Sequence, residues 1–197
     1  MQRCVLASGN AGKLKELADA LADFNIEMVS QTQFNIDEAD ETAVTFVENA
    51  LIKARHASEA TGLPALADDS GLVVNALGGE PGIYSARYAA TDSHNKPTDA
   101  ENIEKLLNAL QHHSDRSAYF VCVLALVKHA NDPEPLLAIG RWHGRILEQP
   151  AGAGGFGYDP VFYCLDTDMS AAEMGAQKKR AISHRARALT QLRQLLG

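Results

Sequence analysis

Strand-like and helix-like segments alternate along this chain, and their order limits the possible folds more than any other feature. Strands are predicted from apolar runs, and helices from capping residues followed by apolar positions at helical spacing. The predicted strands lie at 3–7, 27–30, 72–75, 119–128 and 136–147, and the predicted helices at 13–22, 45–60, 98–110, 170–173 and 183–196. Strands separated by helices usually run parallel, whereas a short turn makes the last two strands a hairpin. The sequence therefore predicts an α/β fold with a mixed sheet.

The length and composition are those of a single globular domain. The chain has 197 residues, of which 46% are hydrophobic and 22% are charged, so it can bury one sizeable core. Its three cysteines, Cys4, Cys122 and Cys164, form no CxxC pair, which argues against a disulfide framework or a zinc site. No signal-peptide pattern opens the chain, and no stretch is long enough to span a bilayer. We therefore expect one domain, 1–197, in the cytoplasm, with no membrane partner.

Positive charge is concentrated near the C-terminal end of an otherwise acidic chain. The formal net charge is −7, yet residues 178–197 contain six Lys and Arg residues and no acid. The remaining 12 basic and 25 acidic residues give a balance of −13. A protein that binds a nucleic-acid polymer spreads basic charge over a longer face. The local charge favours a compact polyanion as ligand, although a helix with solvated charges also accounts for the composition.

Residues 152–160, with the sequence GAGGFGYDP, form the segment that folding alone explains least well. Four glycines among residues 152–157 cost backbone entropy unless the chain needs positive φ or a close approach to its main chain. Two aromatic residues and a carboxylate in such a frame suit a flat heterocycle such as a nucleobase. The alternative is a tight structural loop with Phe156 packed into the core.

The first predicted strand leads into Ser8-Gly9-Asn10-Ala11-Gly12-Lys13, where a helix begins. Free N–H groups and the positive end of a helix dipole make such a junction an anion site, and Lys13 adds a full charge. The spacing is not that of a Walker loop. A capped turn with a surface lysine is the alternative.

Asp68 and Asp69 are adjacent at the predicted end of a strand. Neighbouring carboxylates repel each other and lose solvation there unless a cation compensates them. Oxygen ligands without nearby His or Cys favour magnesium or manganese over zinc, and Glu41, in an acidic stretch before the second helix, could complete the site. Lys53 lies on one face of that helix with Asn49. The alternative is an Asx turn with solvated acids.

His184 and Arg185 follow Ser183, the predicted cap of the last helix. Cations in the first turn oppose the helix dipole at a cost of about 0.3–1 kcal/mol each. Their presence favours a negative group or a base carbonyl bound there, and a plain surface turn is the alternative.

Six segments, taken in order, resemble one family through nearly the whole chain: the inosine/xanthosine triphosphate pyrophosphatases, which remove deaminated purine nucleotides from the nucleotide pool. Each motif alone is weak, but six in one order are specific. They are Ser8-x-Asn10-x-x-Lys13, Glu41 ahead of Phe46-x-x-Asn49-Ala50-x-x-Lys53-Ala54, Ala67-Asp68-Asp69-Ser70-Gly71-Leu72, Pro81-Gly82-Ile83-Tyr84-Ser85-Ala86-Arg87-Tyr88, Gly155-Phe156-Gly157-Tyr158-Asp159-Pro160 and Ser183-His184-Arg185.

The resemblance implies two α/β lobes around a long mixed sheet, with the active site in the cleft between them, in a single catalytic domain that forms a homodimer. The implied reaction is hydrolysis of ITP, dITP and XTP to the nucleoside monophosphate and pyrophosphate. The implied cofactor is magnesium, with manganese as a substitute.

The family's residue roles carry over only to matching positions. Substrate binding falls on Ser8, Gly9, Asn10, Ala11, Gly12, Lys13, Lys53, Ser70, Phe156, Gly157, Tyr158, Asp159, Lys179, His184 and Arg185. Metal binding falls on Glu41, Asp68 and Asp69, and Asp69 is also the expected general base. The sequence leaves open whether Asp68 or Asp69 is the base and whether Lys178 or Lys179 is the ligand. Ser8 stands where many members have threonine, which keeps the hydroxyl.

Two other functions use parts of this pattern. A non-catalytic nucleotide-sensing module needs the base loop and the phosphate turn but no paired acids, so Asp68 and Asp69 with Glu41 argue against it. A pyrophosphatase for modified pyrimidine triphosphates is the second alternative, and segments 156–159 and 183–185 favour purines over it.

Overall fold

The computed structural model describes residues 2–92 and 96–197. The strands are β1 (Gln2–Leu6), β2 (Ile26–Ser30), β3 (Ala65–Val74), β4 (Ser117–Val127), β5 (Leu136–Ile146), β6 (Phe162–Cys164) and β7 (Met169–Ser170). The α-helices are α1 (Ala11–Leu21), α2 (Phe46–Thr61), α3 (Asp99–Ala109), α4 (Ala176–Ile182) and α5 (His184–Leu196). Among the described residues, no helix is both long and apolar enough to cross a bilayer.

The seven strands hydrogen-bond to one another in the order β2-β1-β3-β4-β5-β6-β7. β1 pairs in parallel with β2 and with β3, whereas β6 pairs antiparallel with β5 and with β7. Helices α1 and α2 lie in the connections that the parallel strands require. The predicted α/β fold with a mixed sheet is confirmed.

The chain divides into two compact units, each with its own core. The first comprises Met1–Asp69, Cys122–Gly140 and Arg187–Gly197, and the second comprises Ser70–Val121 and Arg141–Ala186. The first core is mainly aliphatic and includes Leu6, Leu17, Leu21, Leu66, Leu124 and Leu192. The second contains an aromatic group formed by Phe120, Trp142 and Phe162.

Strand β3 is longer than the sequence predicted, and its length decides where the paired aspartates lie. β1 ends at Leu6, which pairs with Leu66, and β3 continues beyond that point. Asp68 and Asp69 are therefore buried within β3 and do not lie at the end of a strand. The prediction of a strand confined to 72–75 was wrong because Asp68 and Asp69 interrupt the apolar run in the sequence, whereas the strand continues through them.

The predicted short helix at 170–173 is also wrong, because Ser170 ends β7 and residues 171–173 form a turn. The bonds that suggested a helix start do form: Glu173 accepts from the Ser170 N–H, and Ser170 Oγ accepts from the Glu173 N–H. The Ala171 N–H, however, donates to the Phe162 carbonyl 2.8 Å away. This bond holds the chain beside β6, and the helix in this region, α4, begins later.

Helix boundaries elsewhere follow the capping residues in the sequence. Thr45 caps α2 by accepting from the Glu48 N–H, and the helix ends before Gly62, whose φ is 68°. Thr98 and Glu101 form a reciprocal capping box at the start of α3. Both predicted starts are confirmed because these bonds join residues only three positions apart.

The three cysteine thiols should be unreactive in the folded protein. Cys4, Cys122 and Cys164 are buried and form no disulfide with one another, and burial raises the pKa of Cys4 to about 12. Because the thiolate is the reactive form, we expect no rapid reaction with DTNB under native conditions and release of all three thiols in denaturant. A thiol that reacts within the mixing time in the native protein would contradict this burial.

Candidate active site

Five charged side chains of the first unit form an ion-paired group, the lysine–carboxylate cluster: Lys13, Glu41, Lys53, Asp68 and Asp69. Lys13 Nζ lies 2.8 Å from Asp68 Oδ1. Lys53 Nζ lies 2.8 Å from Asp69 Oδ1 and 2.9 Å from Glu41 Oε1. Successive side chains of a strand point to opposite faces, so the adjacent aspartates of β3 meet different helices, α1 and α2. The cluster contains more carboxylates than lysines.

The environment of Asp69 makes its carboxylate more basic than usual. Burial raises the pKa of Asp69, Lys53 opposes that effect, and the charges of Glu41 and Asp68 add to it. Burial by itself lowers the pKa of Lys53, but the two carboxylates it contacts outweigh burial, and the pKa is raised. Asp69 Oδ2 is buried and accepts no hydrogen bond from the residues that the structure describes. This oxygen is available to accept a proton or to bind a cation.

The carboxylates expected to bind metal are paired with lysines in the structure. In 2–92 and 96–197, no group of three or more His, Cys, Asp or Glu residues is arranged to hold a metal ion. The donor types nevertheless fit magnesium, because Glu41, Asp68 and Asp69 supply only oxygen ligands. The buried Asp69 Oδ2, which has no hydrogen-bond donor among the described residues, also fits such an ion.

Ser8 and Lys13, the two ends of the segment 8–13, line a cavity of about 160 Å³ in the first unit. Ser8 Oγ accepts from the Asn10 N–H at 3.2 Å, and Asn10 Oδ1 accepts from the Lys13 N–H at 3.0 Å. These bonds cap α1, which therefore begins at Ala11, before the predicted start. The Lys13 side chain is not a solvated surface group, because it points to Asp68 and lines the cavity.

In the second unit, hydrogen bonds to backbone and side-chain groups hold residues 152–159, the glycine loop. The Phe156 N–H donates to Asp159 Oδ2 at 2.9 Å, and the Gly157 N–H donates to Asp99 Oδ2 at 2.6 Å. The Tyr158 hydroxyl donates to the Ser85 carbonyl at 2.8 Å, and burial raises the pKa of Tyr158. Tyr158 thus anchors the loop in the core, and the alternative of a buried Phe156 is wrong.

Phe156 is 66% exposed, and the Lys179 ammonium lies over its ring. Lys179 Nζ lies 4.4 Å from the ring centroid and also pairs with the buried Asp159 carboxylate. Lys178 instead reaches Met169 Sδ at 4.0 Å. Of the two neighbouring lysines, Lys179 is the one that contacts the glycine loop.

His184 and Arg185 occupy the start of α5, as the sequence predicted. The Ala186 N–H donates to Ser183 Oγ, which caps the helix. The buried His184 ring stacks on Phe120 with centroids 5.0 Å apart and an interplanar angle of 20°. Arg185 is half-buried, as is Ser70, the residue after Asp69 in β3.

Two residues outside the glycine loop hold it in place, and neither role was predicted from the sequence. Asp99 and Ser85 are separated from their loop partners by 58 and 73 positions in sequence. Asp99 has the pattern of an ordinary first-turn acid of α3. Ser85 lies in one of the six motifs, but nothing in the motif indicates which atom it contacts.

Comparisons with known proteins agree over almost the whole chain. A family model described as the Ham1 family matches residues 4–195. The chain is 57% identical over 191 residues to a dITP/XTP pyrophosphatase from Yersinia pestis, covering 96% of this chain and 95% of that protein. It is 54% identical to a dITP/XTP pyrophosphatase from Escherichia coli O157:H7, with the same coverage. The solved structure of a HAM1 protein from Coxiella burnetii superposes with a TM-score of 0.95 at 52% identity, covering 100% of this chain and 98% of that chain.

The glycine loop should tolerate a methyl group at Gly157 better than at Gly155. Both glycines have positive φ, 60° and 80°, so alanine has a similar backbone cost at each position. A Cβ at Gly155 would overlap the Asp159 carboxylate, whereas nothing lies within 4 Å of one at Gly157. We expect Gly155→Ala to reduce the unfolding free energy further than Gly157→Ala, by about 1–3 kcal/mol.

Urea unfolding followed by Trp142 fluorescence measures this difference, because Trp142 is the single tryptophan of the chain and is buried in the same unit. Equal urea midpoints for Gly155→Ala and Gly157→Ala would show that the Asp159 carboxylate can move away from position 155 without loss of stability.

Proposed function

Because this chain belongs to the Ham1 family, we propose that it hydrolyses the deaminated purine nucleoside triphosphates ITP, dITP and XTP to the nucleoside monophosphate and pyrophosphate. Relatives 57% and 54% identical over nearly its whole length are named dITP/XTP pyrophosphatases. The family expected from the motifs is confirmed, and the protein is a hydrolase of nucleotide metabolism. The structural observation that carries the chemistry is Asp69 Oδ2, buried and without a hydrogen-bond donor among the described residues.

Asp69 is the general base of the proposed reaction. A water molecule attacks the α-phosphorus, its proton passes to Asp69 Oδ2, and the bond from the α-phosphorus to the oxygen bridging to the β-phosphorus breaks. Asp69 Oδ1 remains 2.8 Å from Lys53 Nζ, which fixes the orientation of the carboxylate. Because burial raises the pKa of Asp69, this carboxylate accepts a proton more readily than an exposed one.

The triphosphate binds at the start of α1. The N–H groups of Ser8, Asn10 and Lys13 are used within the protein, so the donors at the positive end of the helix dipole are the remaining N–H groups of this turn and the Lys13 ammonium. Lys53 provides the second full charge, and Ser70, next to Asp69 in β3, provides a hydroxyl. Pyrophosphate is a good leaving group when such donors stabilise the charge it gains.

Glu41, Asp68 and Asp69 would hold magnesium, with manganese as a substitute. The carboxylates of the lysine–carboxylate cluster outnumber its lysines, so the cluster alone would repel a triphosphate. A bound divalent cation supplies the missing positive charge and acts as a Lewis acid toward phosphate oxygens.

The purine base binds at the glycine loop. The exposed Phe156 ring provides a stacking surface, and the bonds of Gly157, Tyr158 and Asp159 keep the loop in shape. Lys179, His184 and Arg185 provide donors toward the polar edge of the base or the sugar. A donor directed at O6 rejects adenine, because a 6-amino group leaves that donor unpaired.

The homodimer rests on the family resemblance, and the cytoplasmic location remains the expectation drawn from the sequence composition. We expect the molar mass measured by sedimentation to be twice that of one chain. A species with the mass of one chain at micromolar concentration would contradict the homodimer.

Pyrophosphate release from ITP, dTTP and ATP, measured with and without magnesium, tests the proposed function. We expect rapid release from ITP alone, and loss of that activity when EDTA removes the metal. Rapid release from dTTP would favour the pyrimidine-directed alternative. Binding of ITP without release would favour the nucleotide-sensing alternative.

Asp69→Asn should abolish most turnover while the protein remains folded. An amide still accepts the Lys53 hydrogen bond but cannot take a proton from water, so we expect a loss of about 10²–10⁴-fold in kcat. Asp68→Asn is the matched control, because it changes the adjacent acid in the same strand. Raising the magnesium concentration should restore part of the Asp68→Asn activity and none of the Asp69→Asn loss. The opposite pattern would make Asp68 the base.

Phe156→Ala and Arg185→Ala should separate stacking from recognition of the base edge. Loss of the ring should weaken ITP and ATP alike, by about 1–3 kcal/mol for either base. Loss of Arg185 should weaken ITP much more than ATP, because only a 6-oxo purine presents an acceptor there. The ratio of kcat/KM for ITP to that for ATP should survive Phe156→Ala and fall about tenfold or more in Arg185→Ala. A ratio that falls only in Phe156→Ala would reverse the two assignments.

A further inference from the structure

Gln31 follows directly after β2, at the point where the carboxyl ends of β1 and β2 meet. The last paired residues of these parallel strands are Leu6 and Ser30. Ser30 Oγ donates to the Ser8 carbonyl at 3.2 Å and so ties the two strand ends together. The order β2-β1-β3 places neighbours on both sides of β1. Ligands of α/β sheets bind beyond the carboxyl ends of strands at such a switch point.

The Gln31 side chain is almost fully buried and yet lacks a hydrogen-bond partner in the part of the chain that the structure describes. Gln31 is 5% exposed, and it lines the cavity of about 160 Å³ that Ser8 and Lys13 also line. The solvent-excluded, unpaired side-chain atoms of the described residues do not include the Gln31 amide, so the polar end of this side chain is open to the cavity that it lines. Because amides in protein interiors are nearly always hydrogen-bonded, an amide that faces a polar cavity without a protein partner is placed to bind a ligand atom there.

Under the proposed function the ligand atom is a phosphate oxygen, because Ser8 and Lys13 of the triphosphate site line this cavity. Its other charged lining residues are Lys53, Glu38, Glu41 and Asp68. Lys13 and Lys53 line the same space, and both are already paired with carboxylates. A third lysine at position 31 would also be drawn to those carboxylates. An amide adds two N–H donors without adding charge, so its donors remain directed to the ligand.

We propose that Gln31 is a further substrate-binding residue, whose side-chain amide donates a hydrogen bond to a phosphate oxygen of the leaving pyrophosphate. The proposal rests on the proposed function, because it requires that the cavity beside α1 holds the phosphate chain. It assigns Gln31 to the leaving group and not to the base, since the base is assigned to the glycine loop.

Calorimetric titration with pyrophosphate in the presence of magnesium tests this contact. Gln31→Met keeps the length of the side chain and removes both donors, and Gln31→Glu keeps its shape and adds a negative charge. We expect Gln31→Met to weaken pyrophosphate binding about tenfold or more, and Gln31→Glu to weaken it further. Gln33→Met is the matched control, because Gln33 lies in the same 3₁₀ turn, Gln31–Phe34, but is exposed. That control should change the affinity less than about twofold.

Titration with inosine monophosphate provides the second readout, and its affinity should be the same in wild type and in Gln31→Met. Equal weakening of pyrophosphate and inosine monophosphate would overturn the proposal, as would an unchanged affinity of Gln31→Met for pyrophosphate. If Gln31→Met does not fold, as judged by its urea midpoint, the shape-conserving Gln31→Glu decides by the same two titrations. Failure of wild type to release pyrophosphate from ITP would refute the proposed function. If wild type releases pyrophosphate and Gln31→Met binds pyrophosphate as tightly as wild type does, only the Gln31 contact is refuted.

Discussion

Two charged aspartates inside a strand are the constraint on which the first unit depends. Burying an uncompensated carboxylate costs several kcal/mol, so Asp68 and Asp69 require partners wherever β3 places them. Lys13 on α1 and Lys53 on α2 are those partners. The positions of both helices are therefore linked to the same ion pairs that prepare Asp69 as a base. Removal of either lysine would leave a buried carboxylate without its ion pair, so the same contacts determine the stability of the unit and the basicity of Asp69.

The second unit uses its buried carboxylate differently. Asp159 Oδ2 accepts from the Phe156 N–H and pairs with Lys179, so this oxygen holds the glycine loop and the lysine together. Buried Tyr158 and exposed Phe156 alternate along that loop, which leaves one ring in the core and one ring at the surface. Asp159 would then contribute to base binding mainly by holding the Phe156 backbone and the Lys179 ammonium in place.

The sequence predicted well what short-range interactions determine. The capping box of Thr98 and Glu101 could be read directly because its bonds span three positions. The length of β3 could not, because the charges that seemed to end the strand are balanced by Lys13, 55 positions before Asp68. Contact of Asp99 with Gly157 crosses 58 positions and has no local signature. The motifs identified the family and its candidate residues, whereas the roles of those residues depend on contacts that are distant along the chain.

Lys13, Lys53 and Lys179 each already have a carboxylate partner, so the protein carries its own counter-ions. A bare basic patch gathers dissolved anions around it, whereas these ammonium groups are neutralised by fixed acids. A phosphate chain that contacts them exchanges places with protein carboxylates or shares the cation with them, and it frees few dissolved ions. Since the salt dependence of polyanion binding follows the number of small ions released, the affinity of this protein for its substrate should vary with ionic strength less steeply than its lysines alone suggest.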